Sequence, residues 1–174
     1  RQRQMCIRDR LSLIKNSDDK KITKLIENLN KGLVKGIIMA GVNPVYTLPE
    51  SKDFISGLSK AEFSICFSMK NDETASLSKW VAASPHSLES WGDNELVYGK
   101  YNLTQPTIRP LFDTKQFQDC LLNWIGSSQS FYEFIKDNWQ KNILNNLTWN
   151  QVLHDGFYDS EIKQVLKKQF INPL

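Results

Sequence analysis

The sequence predicts an α/β fold: a short parallel sheet with helices between its strands, followed by an irregular loop and a helical tail. Three observations predict it. Helix-period and strand-like segments alternate three times between residues 15 and 85, the order expected of parallel strands joined by crossovers. The strand-like segments are short apolar runs closed by Gly or Pro, as strand ends are. After Pro85 the chain becomes rich in aromatic, Gly, Asn and Pro residues, and then returns to helical stripes.

The elements follow in order. Ser17, Asp18 and Asp19 make a helix start, with acids at the positive end of the dipole. Ile22, Leu25, Ile26 and Leu29 then recur on one helical face, and Gly32 supplies the stop. The run Leu33 to Ala40 is mostly apolar, which suits a central parallel strand buried on both faces. Gly41-Val42-Asn43-Pro44 is a loop signal. Ser51 is placed to cap a short helix carrying Phe54, Ile55 and Leu58. Phe63 to Met69 alternates apolar and small polar residues, as a strand does. Asp72 is placed to cap another short helix, with Glu73 in its first turn, before the run Trp80-Val81-Ala82-Ala83.

Residues 86–112 read as an irregular loop with one hairpin. Asp113 and Gln116 look like a capping pair for a helix with the stripe Phe117, Cys120, Leu121, Trp124, stopped at Gly126. Phe131, Phe134, Ile135 and Trp139 form a second stripe, and residues 148–170 read as further helical pieces. Stripes of this kind are ordinarily core.

Composition narrows the function classes. The chain has 174 residues, 40% of them hydrophobic, enough for one domain with a sizeable core. Disordered, collagen-like and disulfide-scaffold chains are excluded. Cys6, Cys66 and Cys120 form no CxxC pair and have no metal-ligand spacing. Nothing approaches the roughly 18 consecutive apolar residues of a membrane span.

The net charge of +3, from 22 Lys+Arg and 19 Asp+Glu, sits wholly in residues 1–10. There Arg1, Arg3, Arg8 and Arg10 oppose only Asp9, and the remainder is neutral. No nucleic-acid or other anionic partner is therefore predicted.

That first segment has a further property. Met5 to Arg10 can be encoded by ATGTGTATAAGAGACAGR, and Leu11 to Ile14 by CTGTCTCTTATA, the reverse complement of part of the first string. The segment resembles a translated sequencing adaptor joined to its own inverse. Residues 1–14 are expected to be an artefact, and are set aside as a tag would be. The alternative is a native basic arm, and the codons decide between the two.

Few residues suggest chemistry on their own. His86 lies three residues before Glu89. Such a pair can act as acid and base, but more often makes a local hydrogen bond that fixes a loop. His154 suits a helix end. Cys66 and Cys120 are expected to be inert core thiols. The chain lacks G-x-S-x-G, G-x-G-x-x-G and the Walker A loop. The loop at Gly41 and Asn43 could offer backbone N–H groups at a strand's C-terminal end, where open α/β sheets bind ligands. Asn102-Leu103-Thr104 and Asn146-Leu147-Thr148 match the glycosylation sequon, a pattern short enough to recur by chance. No catalytic and no metal-ligating set emerges.

Three segments together carry a resemblance. Gly41-Val42-Asn43-Pro44 with Pro49, Asp72-Glu73-Thr74-Ala75 followed by Trp80 to Pro85, and Leu88-Glu89-Ser90-Trp91-Gly92-Asp93 are similar, in order and spacing, to motifs of molybdopterin oxidoreductases. The similarity covers roughly residues 31–125. Within that family, Glu89 to Asp93 and Gln105 to Asp119 resemble most the large iron–sulfur subunit of alternative complex III, a bacterial respiratory quinol oxidoreductase.

The resemblance implies a partial molybdopterin-oxidoreductase-like segment at 15–125 and a helical extension at 126–174, together a fragment of a longer subunit. It implies a periplasm-facing peripheral protein, exported by the twin-arginine route and docked on other subunits of a membrane-bound complex. Iron–sulfur clusters would lie elsewhere in the full-length subunit. The N-x-E-G-R pattern of molybdenum enzymes is broken at Asn94 to Lys100, where no Arg occurs. The branch resemblance accordingly implies a segment without molybdenum cofactor, acting as scaffold. Two alternatives stand beside it. One is a genuine molybdopterin-dependent catalytic subunit, with Asn43, Thr74, Glu89 and Gly92 near the pterin. The other is a small-ligand-binding α/β module.

Overall fold

The computed structural model describes residues 18–160. Segment 1–14, Ser17 and the tail beyond Ser160 lie outside the described residues. Contacts group the described chain into two units: residues 18–90 with 106–131, and residues 91–105 with 132–160.

The first unit is built on a parallel sheet. Its elements are α1 (Asp19–Asn30), β1 (Gly36–Ala40), α2 (Pro44–Thr47), α3 (Ser51–Lys60), β2 (Phe63–Ser68), α4 (Glu73–Leu77), β3 (Trp80–Ala83) and, after a 3-10 turn at Ser87–Glu89, α5 (Phe117–Trp124). The strand order is β1-β2-β3, all parallel, with Met39 opposite Cys66 and Ile65 opposite Trp80. This is the short parallel sheet that the alternating pattern predicts.

One face of the sheet carries the main core. Met39 and Cys66 pack with Ile26 and Leu29 of α1, Phe54 and Leu58 of α3, and Ala75 of α4. Burying a Leu, Ile, Met or Phe side chain stabilises by about 1.5–3 kcal/mol. Gly57 lets the two helices meet closely, since a Cβ there would lie 2.7 Å from Leu29 Cβ. Helix α1 ends as Gly32 predicts. Gly32 has φ +70°, its N–H reaches the Leu29 carbonyl, and the Leu33 N–H reaches the Asn28 carbonyl, which is a Schellman closure. On the other face Phe67 meets Phe117 and Trp124 of α5 edge-on, at 4.8 and 6.0 Å.

Three local expectations are corrected. The run Leu33 to Ala40 is not a central strand: β1 is an edge, β2 is central, and Ile38 is 47% exposed. Apolar content marks a strand but cannot say which neighbours pair with it. Helix α3 is capped at Glu50, one residue before Ser51, without a side-chain bond. Helix α5 is capped at Gln116, also without one, so Asp113 forms no capping pair.

The second unit is antiparallel. Strands β4 (Gly92–Val97) and β5 (Lys100–Thr104) form the expected hairpin, turning at Gly99 with φ +76°. The Gly99 N–H donates to Glu95 Oε1 at 2.7 Å. Helix α6 (Phe131–Asn138) runs into one π-helical turn, Trp139–Ile143, and is followed by α7 (Trp149–Asp155). Thr148 and Gln151 form a reciprocal cap on α7. The tail then departs from a helical reading. Gly156 has φ +74° and ends α7, and Phe157–Asp159 becomes β6, antiparallel to β5. A three-residue strand has too few positions to show a period of two. Ile135, Trp139, Trp149 and Val152 are buried at the centre of this unit.

Candidate functional site at the strand ends

A crevice of about 430 Å³ opens at the C-terminal ends of β1, β2 and β3. Ligands of open parallel sheets bind at this position. Three loops form it: Gly41 to Asn43 after β1, Ser68 to Lys70 after β2, and Ser84 with Pro85 after β3. Gly41 takes φ +64° to leave β1. Pro44 then starts α2, where a missing N–H costs nothing.

Asn43 and Thr74, distant in sequence, are brought together here. The Thr74 hydroxyl donates to Asn43 Oδ1 at 2.7 Å and accepts from the Val45 N–H at 3.1 Å. Asn43 Nδ2 donates to Glu73 Oε2 at 2.7 Å. Thr74 is fully buried. The hydrogen bond from Asn43, with one from its own backbone N–H, holds the Glu73 carboxyl below the usual carboxylate range.

The second loop is tied to the same helix start. Asp72 Oδ1 caps α4 by accepting the Ala75 N–H at 2.8 Å, as its position predicts, and its Oδ2 accepts from Ser68 Oγ at 3.1 Å. The first turn of α4 thus staples both the β1 and the β2 loop. Sequence reasoning placed Glu73 only as a first-turn acid and did not single out Ser68. Their roles depend on which loops the parallel register brings to α4.

Glu89 is engaged elsewhere in the same unit. Its Oε2 accepts the His86 N–H at 3.1 Å, and its Oε1 accepts the Leu111 N–H at 3.3 Å. His86 Nδ1 accepts the Leu88 N–H at 3.1 Å. The local bond between this pair therefore runs to the His86 backbone and closes the turn at 86–89, while the bond from Leu111 ties the loop at 106–112 to it. Gly92 belongs to the other unit, where it opens β4 opposite Thr104. A Cβ on Gly92 would meet Thr104 at 3.6 Å, an ordinary contact, so no close approach there demands glycine.

The structure places Cys66 in the core as expected, but not Cys120. Cys66 is buried and Cys120 half-buried, and burial pushes both thiols up in pKa. Cys6 lies outside the described residues. Among the described residues no group of three His, Cys, Asp or Glu is placed to hold a metal ion. His154 sits in the last turn of α7, beside Asp155.

Comparison with known proteins places this geometry. A solved structure, acetylene hydratase from Pelobacter acetylenicus, superposes on 84% of this chain with a TM-score of 0.63 at 16% identity. The likeness is one of fold. In sequence, the chain is 36% identical over 92 residues to the menaquinone reductase, molybdopterin-binding-like subunit, of Nitratidesulfovibrio vulgaris strain Hildenborough. That match covers 51% of this chain. The chain spans 13% of that relative and 22% of the solved structure. No protein-family profile matches the chain.

The residues assigned to a pterin by motif can be tested as ligands. The Asn43 amide is bonded through both its oxygen and its nitrogen, the Thr74 hydroxyl both donates and accepts, and both Glu89 oxygens hold backbone N–H groups. These groups are directed at the chain's own backbone and side chains.

Proposed function

We propose that this chain is part of a molybdopterin-oxidoreductase-like subunit of a respiratory quinol oxidoreductase, and that the segment is a scaffold without cofactor. The observation that carries this reading is the Glu73–Asn43–Thr74 staple. The side chains at the strand ends, where a cofactor would bind, close the loops onto α4 instead. The relative named as a molybdopterin-binding-like subunit of menaquinone reductase supports the respiratory, quinone-linked part of the reading.

The resemblance at Glu89 to Asp93 and Gln105 to Asp119 points further, to the iron–sulfur subunit of alternative complex III. Quinol oxidation by that complex and quinone reduction are the same two-electron chemistry in opposite directions. On this reading the segment docks on other subunits at the periplasmic face of the membrane, after twin-arginine export, and the iron–sulfur clusters belong to the remainder of the subunit.

The test is metal analysis of the full-length protein purified in its complex. Iron without molybdenum is expected. Stoichiometric molybdenum would overturn the scaffold reading in favour of a molybdopterin-dependent catalytic subunit.

A further inference from the structure

The antiparallel unit contains an unbroken run of aromatic rings. Trp91 and Tyr132 have centroids 4.6 Å apart, Tyr132 and Trp149 6.1 Å, Trp149 and Trp139 6.1 Å, and Trp139 and Tyr101 6.0 Å. The end rings, Trp91 and Tyr101, are half-buried, while Trp149 and Trp139 are buried. The run therefore passes from one partly exposed ring, through the core of the unit, to another.

Its polar atoms are arranged as well. Trp149 Nε1 donates to the Tyr132 hydroxyl at 3.3 Å, and Trp139 Nε1 donates to Asp93 Oδ2 at 2.8 Å. Edge-to-face packing explains the contacts and their stabilisation. It does not require a carboxylate on the most buried indole, because a neutral carbonyl would satisfy the same N–H.

Tryptophan and tyrosine are among the side chains most easily oxidised by one electron. Loss of that electron makes the indole N–H and the phenol O–H strongly acidic. A carboxylate already bonded to the N–H takes the proton without rearrangement, and so lowers the cost of oxidation. At the far end, burial and the adjacent Glu95 carboxylate push the Tyr101 phenol up in pKa.

We propose that Trp91, Tyr132, Trp149, Trp139 and Tyr101 form a relay for oxidising equivalents, with Asp93 as the proton acceptor for Trp139. A one-electron oxidant at the surface, such as a peroxide-derived radical, takes an electron from Trp91. The hole passes along the rings to Trp139, whose Nε1 proton moves to Asp93. Tyr101 then supplies the electron that refills Trp139. Asp93 returns its proton to Nε1, and the Tyr101 proton passes to Glu95. A thiol or ascorbate-class reductant gives one electron to the tyrosyl radical, and Glu95 gives back the proton. The net change is one electron from reductant to oxidant. The proposal goes beyond the scaffold reading and does not depend on it.

The experiment uses the 174-residue chain and a photo-oxidised ruthenium tris-bipyridine complex as oxidant. Trp80→Phe, Trp124→Phe and Tyr46→Phe first remove the exposed indoles and the exposed phenol outside the unit. Transient absorption and electron paramagnetic resonance should then show a tyrosyl radical, which Tyr101→Phe replaces by a neutral indolyl radical. Trp139→Phe should abolish most of the tyrosyl signal. If the signal is unchanged, Tyr101 is oxidised directly from solvent and the relay is overturned. Asp93→Asn keeps an oxygen acceptor for Nε1 and so preserves the packing. Combined with Tyr101→Phe, it should leave the indole radical protonated. A neutral indolyl radical in that variant would overturn the role of Asp93 even if Trp139→Phe proved too unstable to study.

Discussion

The parallel unit is filled by Leu29, Met39, Phe54, Leu58 and Cys66, whereas the antiparallel unit is filled largely by Trp139, Trp149 and Tyr158, with Ile135 and Val152. The first set has almost no polar valence. Its packing is set by shape, as where Gly57 admits Leu29. The second set brings indole N–H and phenol O–H groups into the core, and each needs a partner. Trp139 finds Asp93, and Trp149 finds Tyr132. A small unit gains buried area from large rings, and the hydrogen bonds then fix where each ring sits. Hydrogen bonding therefore constrains the second core and not the first.

Truncating the centre of each core tests this contrast most strongly. Trp139→Ala should cost about 3–5 kcal/mol and Leu29→Ala about 2–5 kcal/mol. Trp139→Ala also leaves Asp93 without its indole donor. Urea unfolding followed by far-ultraviolet circular dichroism measures both losses. If the units unfold separately, each substitution shifts its own transition. If both shift one shared transition, the two cores unfold cooperatively and the contrast is one of composition only.

A smaller effect probes shape in the parallel unit. Gly57→Ala adds a Cβ 2.7 Å from Leu29 Cβ and 3.2 Å from Asn30 Nδ2. In an exposed helix the same change would gain up to about 1 kcal/mol of helix propensity. Here the clash should reverse the sign, with a net loss of about 1–3 kcal/mol. A stabilised Gly57→Ala variant in the same urea assay would show that α1 and α3 can separate freely.

These two cores were unequally legible in the sequence. The alternation of helix and strand over residues 15–85 announced the parallel sheet. The period of Ile26 and Leu29 announced the face of α1 that is buried. The sheet order was not legible, because the run Leu33 to Ala40 is as apolar as a central strand yet lies at an edge. Likewise β6 was hidden, since the turn at Gly156 and pairing with β5 create it, and not its own three residues. At the strand ends, motif resemblance singled out Asn43 and Thr74, and the fold joins them. Glu73 completes the staple. Its part could not be read, because it depends on how the β1 loop meets the first turn of α4.

That staple gives the smallest expected effect and the one tied to pH. Asn43→Ala removes hydrogen bonds to Thr74 and Glu73 and should lower stability at neutral pH by less than either core truncation. The folded-state pKa of Glu73 is lowered, chiefly by the bond from Asn43. Its contribution to stability is therefore present above the unfolded carboxylate pKa, and is lost as pH falls through the lower, folded value. Glu62, lowered in the same direction by its bond and charge contact with Lys35, gives an acid dependence of its own, which Asn43→Ala leaves in place. The difference between native chain and variant therefore isolates the staple. The gap between their urea midpoints should be widest at neutral pH and narrow in acid as Glu73 takes up a proton. A gap that stays constant across that range would mean that Asn43 holds the loop through Thr74 alone.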